Sequence, residues 1–199
     1  PHQVPSIGII QAQSSFIFQN NKYINPRILA FDFSNNIPDA SRCIKNDKKF
    51  SPWLKRGLNS PEKAEAVNEV IKSATFNKTG IQGSDDYVVF KVCGILDPEA
   101  PIRFKGFNFM PDGFPGILAI AASRKNRFAL VSEILIHEIA ILWLDAHDRE
   151  DPNFKIIKTR FLKYKKLLSN NKLGAGLERV LYEINPHIRC LSPYFSKDY

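Results

Sequence analysis

The last third of the chain contains the stretch that decides the fold, RFALVSEILIHEIAILWLDAH at residues 127–147. Apolar residues recur along it at helical spacing, and their wide arc is typical of a helix packed into a core along most of its length. The opposite arc carries the polar side chains Glu133, His137, Glu138, Asp145 and Asp148. We therefore expect one long helix over residues 127–147.

Two further helices are predicted after it. Asp151 and Pro152 form a helix-start signal, which predicts a helix over residues 152–169. A third helix is expected over residues 173–183, because Pro186 disfavours helical backbone at the residue before it. The region 127–185 is thus predicted to be helical, and residues 187–199 are predicted to form an irregular tail.

The first part of the chain, residues 1–122, is predicted to be rich in strands and loops. Ser60 and Pro61 predict one helix there, over residues 61–75. Short segments rich in Ile, Val and Phe predict strands over 6–10, 15–19, 27–33, 87–96 and 102–109, and polar turn residues predict a long loop over 34–59. Residues 113–122 fit either a buried strand or a helix. The sum predicts a single α+β domain, with an N-terminal sheet-containing half packed against three C-terminal helices.

The composition predicts a globular protein with an anionic partner. The chain has 199 residues, 44% of them hydrophobic, which is enough to build a core. Its net charge of +8 favours association with polyanions. No segment reaches the roughly 18 uninterrupted apolar residues of a membrane-spanning helix. The three cysteines contain no CxxC pair and are odd in number, so the cytoplasm or another reducing compartment is expected.

The most specific positive feature is a cluster of cations after Pro152. Seven Lys and Arg residues and no Asp or Glu lie between residues 152 and 172: Lys155, Lys158, Arg160, Lys163, Lys165, Lys166 and Lys172. An apolar stripe through Ile157 and Phe161 would dock this helix and leave the cations facing outward. The sequence therefore predicts a polyanion-binding domain, with nucleic acid as the leading ligand. The predicted contacts are Lys155, Lys158, Lys163 and Lys166, together with Arg124, Lys125 and Arg127.

A metal-independent enzyme, such as the hydrolase or transferase of an effector or toxin module, is the alternative. Glu133 and His137 are four residues apart on one helix face and can pair, which would prepare the imidazole, next to Glu138, for acid–base chemistry. Cys43, in an electropositive stretch, is a candidate nucleophile. A third alternative is a non-catalytic interaction module of a larger protein, which the start at Pro1 rather than Met favours.

No metal site or cofactor is predicted. The run from His137 to Ile141 resembles the H-E-x-x-H helix of zinc metallopeptidases, but Ile141 stands where the second histidine ligand belongs. His147 is ten residues further on, about 15 Å along a helix, and cannot replace it. Nucleotide-binding glycine loops are absent from the sequence as well.

Overall fold

The computed structural model describes residues 11–147, 152–170 and 175–185, and these divide into two compact units, Pro1–Ala100 and Pro101–Tyr199. Both units combine helices with one two-stranded antiparallel hairpin, so the predicted α+β class is confirmed. The single-domain organisation stays a prediction. Of the predicted segments, the strand over 6–10 and the tail over 187–199 lie outside the described residues.

The first unit is a short hairpin followed by five helices. Its elements are β1 (Phe16–Phe18), β2 (Asn21–Tyr23), α1 (Pro26–Asn35), α2 (Ile37–Asn46), α3 (Phe50–Pro52) with a π-helical turn (Trp53–Gly57), α4 (Pro61–Phe76) and α5 (Asp85–Leu96). β1 pairs with β2 so that Phe16 lies opposite Tyr23. Helix α5 is central, because α1, α2 and α4 all pack against it. The strand predicted over 15–19 and the helix predicted over 61–75 are confirmed.

The strand predicted over residues 87–96 is wrong, since these residues form most of α5. Ser84 caps the helix by accepting a hydrogen bond from the Tyr87 amide at 3.3 Å, and Asp85 and Asp86 favour its first turn. Six apolar residues of α5 are buried among three neighbouring helices. A helix buried on several sides has an almost continuous apolar sequence, which sequence patterns alone cannot distinguish from a buried strand.

The strand predicted over 27–33 and the loop predicted over 34–59 are also wrong. The Asn25 side chain accepts a hydrogen bond from the Arg27 amide at 2.8 Å, and Pro26 occupies the first turn of α1. Helix α2 and the turns after it then occupy most of the predicted loop. The Phe33 ring lies 4.8 Å from Phe18 and 5.7 Å from Phe50, so tertiary packing of aromatic side chains holds this region.

The second unit begins with a hairpin and continues in helices. Its elements are β3 (Ile102–Phe104), β4 (Phe107–Phe109), a 3-10 turn (Pro111–Gly113), α6 (Phe114–Ala122), α7 (Lys125–Ile136), α8 (Ile139–Ala146), α9 (Pro152–Leu168) and α10 (Leu177–Ile184). The predicted strand over 102–109 is thus two strands, joined where Lys105 and Gly106 both take positive φ. Residues 113–122 are helical, and the helix predicted over 152–169 is confirmed.

The single helix predicted over 127–147 is wrong, because the helical backbone is interrupted between α7 and α8. Glu138 has φ 56° and ψ 30°, the left-handed region, which ends one helix and starts the next. Val131 and Ala140 are both fully buried. In a straight helix, nine residues at about 100° each would place them on opposite faces. The break lets α7 and α8 each turn its own apolar face inward.

Candidate anion-binding helix and apolar cleft

Helix α9 has one face buried within the second unit and one face exposed. It packs against α7, α8 and α10. Phe161 is buried, and Phe154, Ile157 and Tyr164 are half-buried. The orientation predicted for the apolar stripe is therefore observed. Whether each lysine is available to a ligand depends on which side of this stripe it occupies.

Two lysines of α9 are neutralised by the neighbouring helix. Lys158 forms an ion pair with Asp145, and Lys165 forms one with Glu138 at 2.7 Å. The two lysines are seven residues apart, as are the two carboxylates, so the pairs link antiparallel α8 and α9 two turns apart. Lys158, one of the predicted ligand contacts, is thus already paired within the protein.

The charge of Lys163 is compensated by a carboxylate of α10. Its ammonium group lies 3.0 Å from the Glu183 carboxylate of α10, which also contacts Arg179 at 2.5 Å. Hydrogen bonds from Lys163 and Arg179 lower the pKa of Glu183 below its usual value. The Lys163 side chain remains 59% exposed, so it lies at the surface but shares its charge with an internal partner.

Three cations of α9 form no ion pair with any described residue: Lys155, Arg160 and Lys166. All three are exposed. Lys155 and Lys166 are eleven residues apart, about three helical turns, and therefore share one side of α9 at a spacing of roughly 16 Å. Lys155 and Lys166 are both predicted contacts, and both are uncompensated. Arg160 is also uncompensated, but it is not one of the predicted contacts. Lys172 lies outside the described residues.

The second predicted cluster lies at the start of α7. Arg124 precedes the helix and is exposed, and the exposed Arg127 guanidinium lies 5.7 Å from the centre of the Phe107 ring. The first turn of α7 contains no acidic residue, so the positive end of the helix dipole adds to the arginine charges. The side chain of Lys125 is outside the described part of the structure.

The positive charge of the protein is concentrated in the second unit. Residues 101–199 contain sixteen Lys and Arg against ten Asp and Glu, whereas residues 1–100 contain twelve against ten. Six of the eight net charges therefore belong to the unit that contains α9. This asymmetry raises the electrostatic potential around one unit rather than around the whole chain.

The predicted catalytic residues have other partners. Glu133 forms an ion pair with Lys105 of the β3–β4 turn, and Glu138 pairs with Lys165. His137 caps α7, where its backbone N–H donates to the Glu133 carbonyl oxygen at 3.0 Å. Within the described residues no hydrogen bond joins the His137 and Glu133 side chains. The predicted acid–base pair is therefore not assembled, and the catalytic role of these residues stays a prediction.

The surroundings of Cys43, Cys93 and His147 favour a structural role for these residues. Burial, with a smaller effect from Asp47, raises the pKa of the Cys43 thiol to about 12, which opposes formation of a nucleophilic thiolate. Cys93 is buried and donates to the Ala30 carbonyl oxygen at 3.2 Å. His147 is buried, donates from Nδ1 to the Trp143 carbonyl oxygen at 2.6 Å and stacks on the Trp143 ring. Cys190 lies outside the described residues.

An apolar cleft of about 520 Å³ opens beside the exposed face of α9. Its walls come from the turn before α6, the start of α6, α8 and α9: Met110, Pro111, Asp112, Phe114, Pro115, Trp143, Asn153, Phe154, Ile156, Ile157, Arg160, Phe161 and Tyr164. The two charged residues, Asp112 and Arg160, form no ion pair with any described residue. Burial raises the pKa of Tyr164. The cleft is not predicted from the sequence, where the available signal is the three aromatic residues of α9.

Comparisons of the chain with protein-family models, with curated proteins and with solved structures return no match. Across the described ranges, no group of three or more His, Cys, Asp and Glu side chains is arranged to hold a metal ion. In the same ranges no helix is long and apolar enough to cross a membrane. A function must therefore be inferred from the contacts and charges of the second unit.

Proposed function

We propose that the unit Pro101–Tyr199 binds polyanions, above all nucleic acid, through the exposed face of α9. One observation carries the proposal: Lys155, Arg160 and Lys166 project from this helix without a carboxylate partner in the described structure, although three neighbouring lysines are paired. Carboxylates from neighbouring elements thus neutralise Lys158, Lys163 and Lys165. The uncompensated cations are those that a phosphate backbone can reach.

The internal ion pairs support this use of α9. Lys158 and Lys165 link the helix to α8, and Lys163 links it to α10. Individually, such exposed pairs stabilise by only about 0–1 kcal/mol. Together they fix the rotation of α9, so that Lys155 and Lys166 stay on the outward side. The surface is therefore preorganised, which lowers the cost of ordering it when a ligand binds.

Arg124 and Arg127 extend the positive surface of the same unit. Both are exposed, and they lie at the positive end of the α7 dipole. Contacts of this kind recognise phosphate and not base sequence, so we expect affinity with little sequence dependence from these two arginines.

The test is a triple substitution, Lys155→Gln, Arg160→Gln and Lys166→Gln, in the full chain. Each lost phosphate contact should reduce the slope of log affinity against log salt by about 0.7–0.9. We expect the triple variant to bind nucleic acid about a hundredfold more weakly at 0.1 M salt and to lose about 2–3 from the slope. Fluorescence anisotropy with labelled oligonucleotides across a salt series measures both quantities.

A matched control separates the site from net charge. Lys48, Lys49 and Lys55 are exposed cations of the first unit, and their combined change to Gln removes the same charge. This control should leave the affinity within about twofold of the unmodified protein, because the proposed phosphate contacts all belong to the second unit. Equal losses in both triple variants, or no measurable binding of any polyanion at low salt, would refute the proposal.

A further inference from the structure

We infer that the apolar cleft beside Arg160 accepts an unpaired nucleobase, so that the preferred polyanion is single-stranded nucleic acid. The inference rests on the proposed function and specifies its ligand class. The phosphate backbone would follow the outer face of α9, and one base would leave it to enter the cleft. Arg160 belongs both to the uncompensated cations and to the cleft wall. It lies about 120–140° around the helix from Lys155 and Lys166, so a strand that contacts all three cations would curve around α9.

The size and the walls of the cleft suit a flat ring. Its volume of about 520 Å³ is within the range of about 300–1,000 Å³ that is typical of pockets for small organic ligands. Trp143 and Phe154 meet edge to face at 6.1 Å, and Phe161 contacts Tyr164 in the same way at 6.0 Å. Phe154 and Tyr164 are half-buried, so their rings contribute to the accessible wall. Stacking on such rings is sequence-tolerant, because every base has a π-face.

The charges of the cleft favour a base over a phosphate inside it. Asp112 contributes a carboxylate with no ionic partner among the described residues, and it would repel a phosphate group placed next to it. The same carboxylate can accept hydrogen bonds from an exocyclic amino group, as acidic side chains do from cytosine N4. Arg160 can hold the adjacent phosphate at the edge of the cleft. The arrangement therefore predicts a preference for amino-bearing bases over thymine.

The experiment compares three single strands of equal backbone charge, and one duplex of higher charge, as ligands of the full chain. Labelled strands of about 12 nucleotides, a length that covers the site sizes of known single-strand binders, are titrated as oligo-deoxycytidine, oligo-deoxythymidine and an abasic strand, alongside a duplex of the same length. We expect oligo-deoxycytidine to bind at least about fivefold more tightly than the abasic strand and more tightly than the duplex, with oligo-deoxythymidine between them.

Two variants test the cleft itself. Phe154→Leu keeps an apolar side chain but removes a ring, and it should reduce the affinity for oligo-deoxycytidine about fivefold without changing the affinity for the abasic strand. The matched control is Phe76→Leu, at a 89% exposed phenylalanine of α4, which should change neither affinity. Asp112→Asn should abolish the preference for oligo-deoxycytidine over oligo-deoxythymidine. It provides a readout independent of the aromatic wall should Phe154→Leu fail to fold.

The outcomes separate this inference from the proposed function. Equal affinities for the four ligands, with the salt-dependent loss retained in the triple variant of α9, would overturn the cleft inference and leave polyanion binding intact. Binding to none of the ligands would remove both. Binding only to vesicles of anionic phospholipid would also overturn the inference, since the apolar cleft would then serve a membrane ligand.

Discussion

Glu138 adopts the left-handed backbone conformation that separates α7 from α8, and it also forms the ion pair with Lys165. A non-glycine residue in this region carries steric strain of about 1–2 kcal/mol, because its Cβ approaches the backbone. The exposed ion pair contributes at most about 1 kcal/mol. The backbone term therefore has the larger effect when Glu138 is replaced.

Replacing Glu138 should reverse the usual order of alanine and glycine. In a helix interior, glycine is about 1 kcal/mol less stable than alanine. At position 138 we expect Glu138→Gly to be more stable than Glu138→Ala by about 1 kcal/mol, because both lose the ion pair and only glycine relieves the strain. Urea unfolding measures the free energy of unfolding of both variants.

The same pair of substitutions at Glu65, an exposed position inside α4, is the control. There alanine should be the more stable by about 1 kcal/mol. If alanine is also the more stable at position 138, then Glu138 is helical in solution and α7 continues into α8 as one helix.

Between α9 and α10, Glu183 competes with any ligand for Lys163. Replacing the carboxylate by an amide frees the Lys163 ammonium group and also the Arg179 guanidinium group of α10. We expect Glu183→Gln to bind oligonucleotides several-fold more tightly at 0.1 M salt and to steepen the salt dependence by about 0.7–1.8, as one or two additional phosphate contacts require. The same anisotropy titration measures this gain.

Glu178→Gln is the matched control for this gain in affinity. Glu178 is an exposed carboxylate in the first turn of α10, and it makes no ion pair with a described residue. The substitution adds the same net charge without freeing Lys163. An equal rise in affinity in both variants would mean that overall charge, and not the release of Lys163, sets the binding strength.

Elements with explicit start signals could be predicted from the sequence, whereas elements defined by their neighbours could not. Ser60 with Pro61 and Asp151 with Pro152 indicated α4 and α9 at nearly their observed bounds. Helix α5 was predicted as a strand, because its Val, Phe and Ile content is typical of strands and its burial by three helices cannot be known in advance. The cap at Ser84 was the available evidence for a helix.

The candidate site was predictable in part, and for a similar reason. The amphipathic pattern of α9 was sufficient to separate the buried Phe161 from the exposed Lys155 and Lys166. The partners of Lys158 and Lys163 come from α8 and α10, which only the tertiary fold brings to α9. The cleft was also out of reach, since it combines residues from four separate elements.

At the scale of the whole molecule, each unit has its own aromatic core. In the first unit, Phe33 is fully buried between Phe18 and Phe50. In the second unit, Phe114 is fully buried against Phe161, with ring centres 5.0 Å apart. A cavity created at either phenylalanine should therefore first destabilise the elements of its own unit.

We expect Phe33→Ala and Phe114→Ala each to cost about 3–5 kcal/mol, the usual effect of truncating a buried aromatic residue. Hydrogen exchange followed by mass spectrometry should then show faster exchange in α1 and α5 for the first variant and in α6 and α9 for the second. Equal acceleration throughout the chain in both variants would mean that the two units unfold as one cooperative body.

The position of the two tryptophans gives the protein a built-in optical probe. Trp53 is fixed in the first unit, where its indole N–H donates to the Ser14 carbonyl oxygen at 2.7 Å. Trp143 forms part of the cleft wall and stacks on His147 with ring centres 3.6 Å apart. In a Trp53→Phe protein, the emission spectrum comes from Trp143 alone. The wavelength of its emission maximum and its intensity would then respond to any molecule that fills the cleft, without a label on either partner.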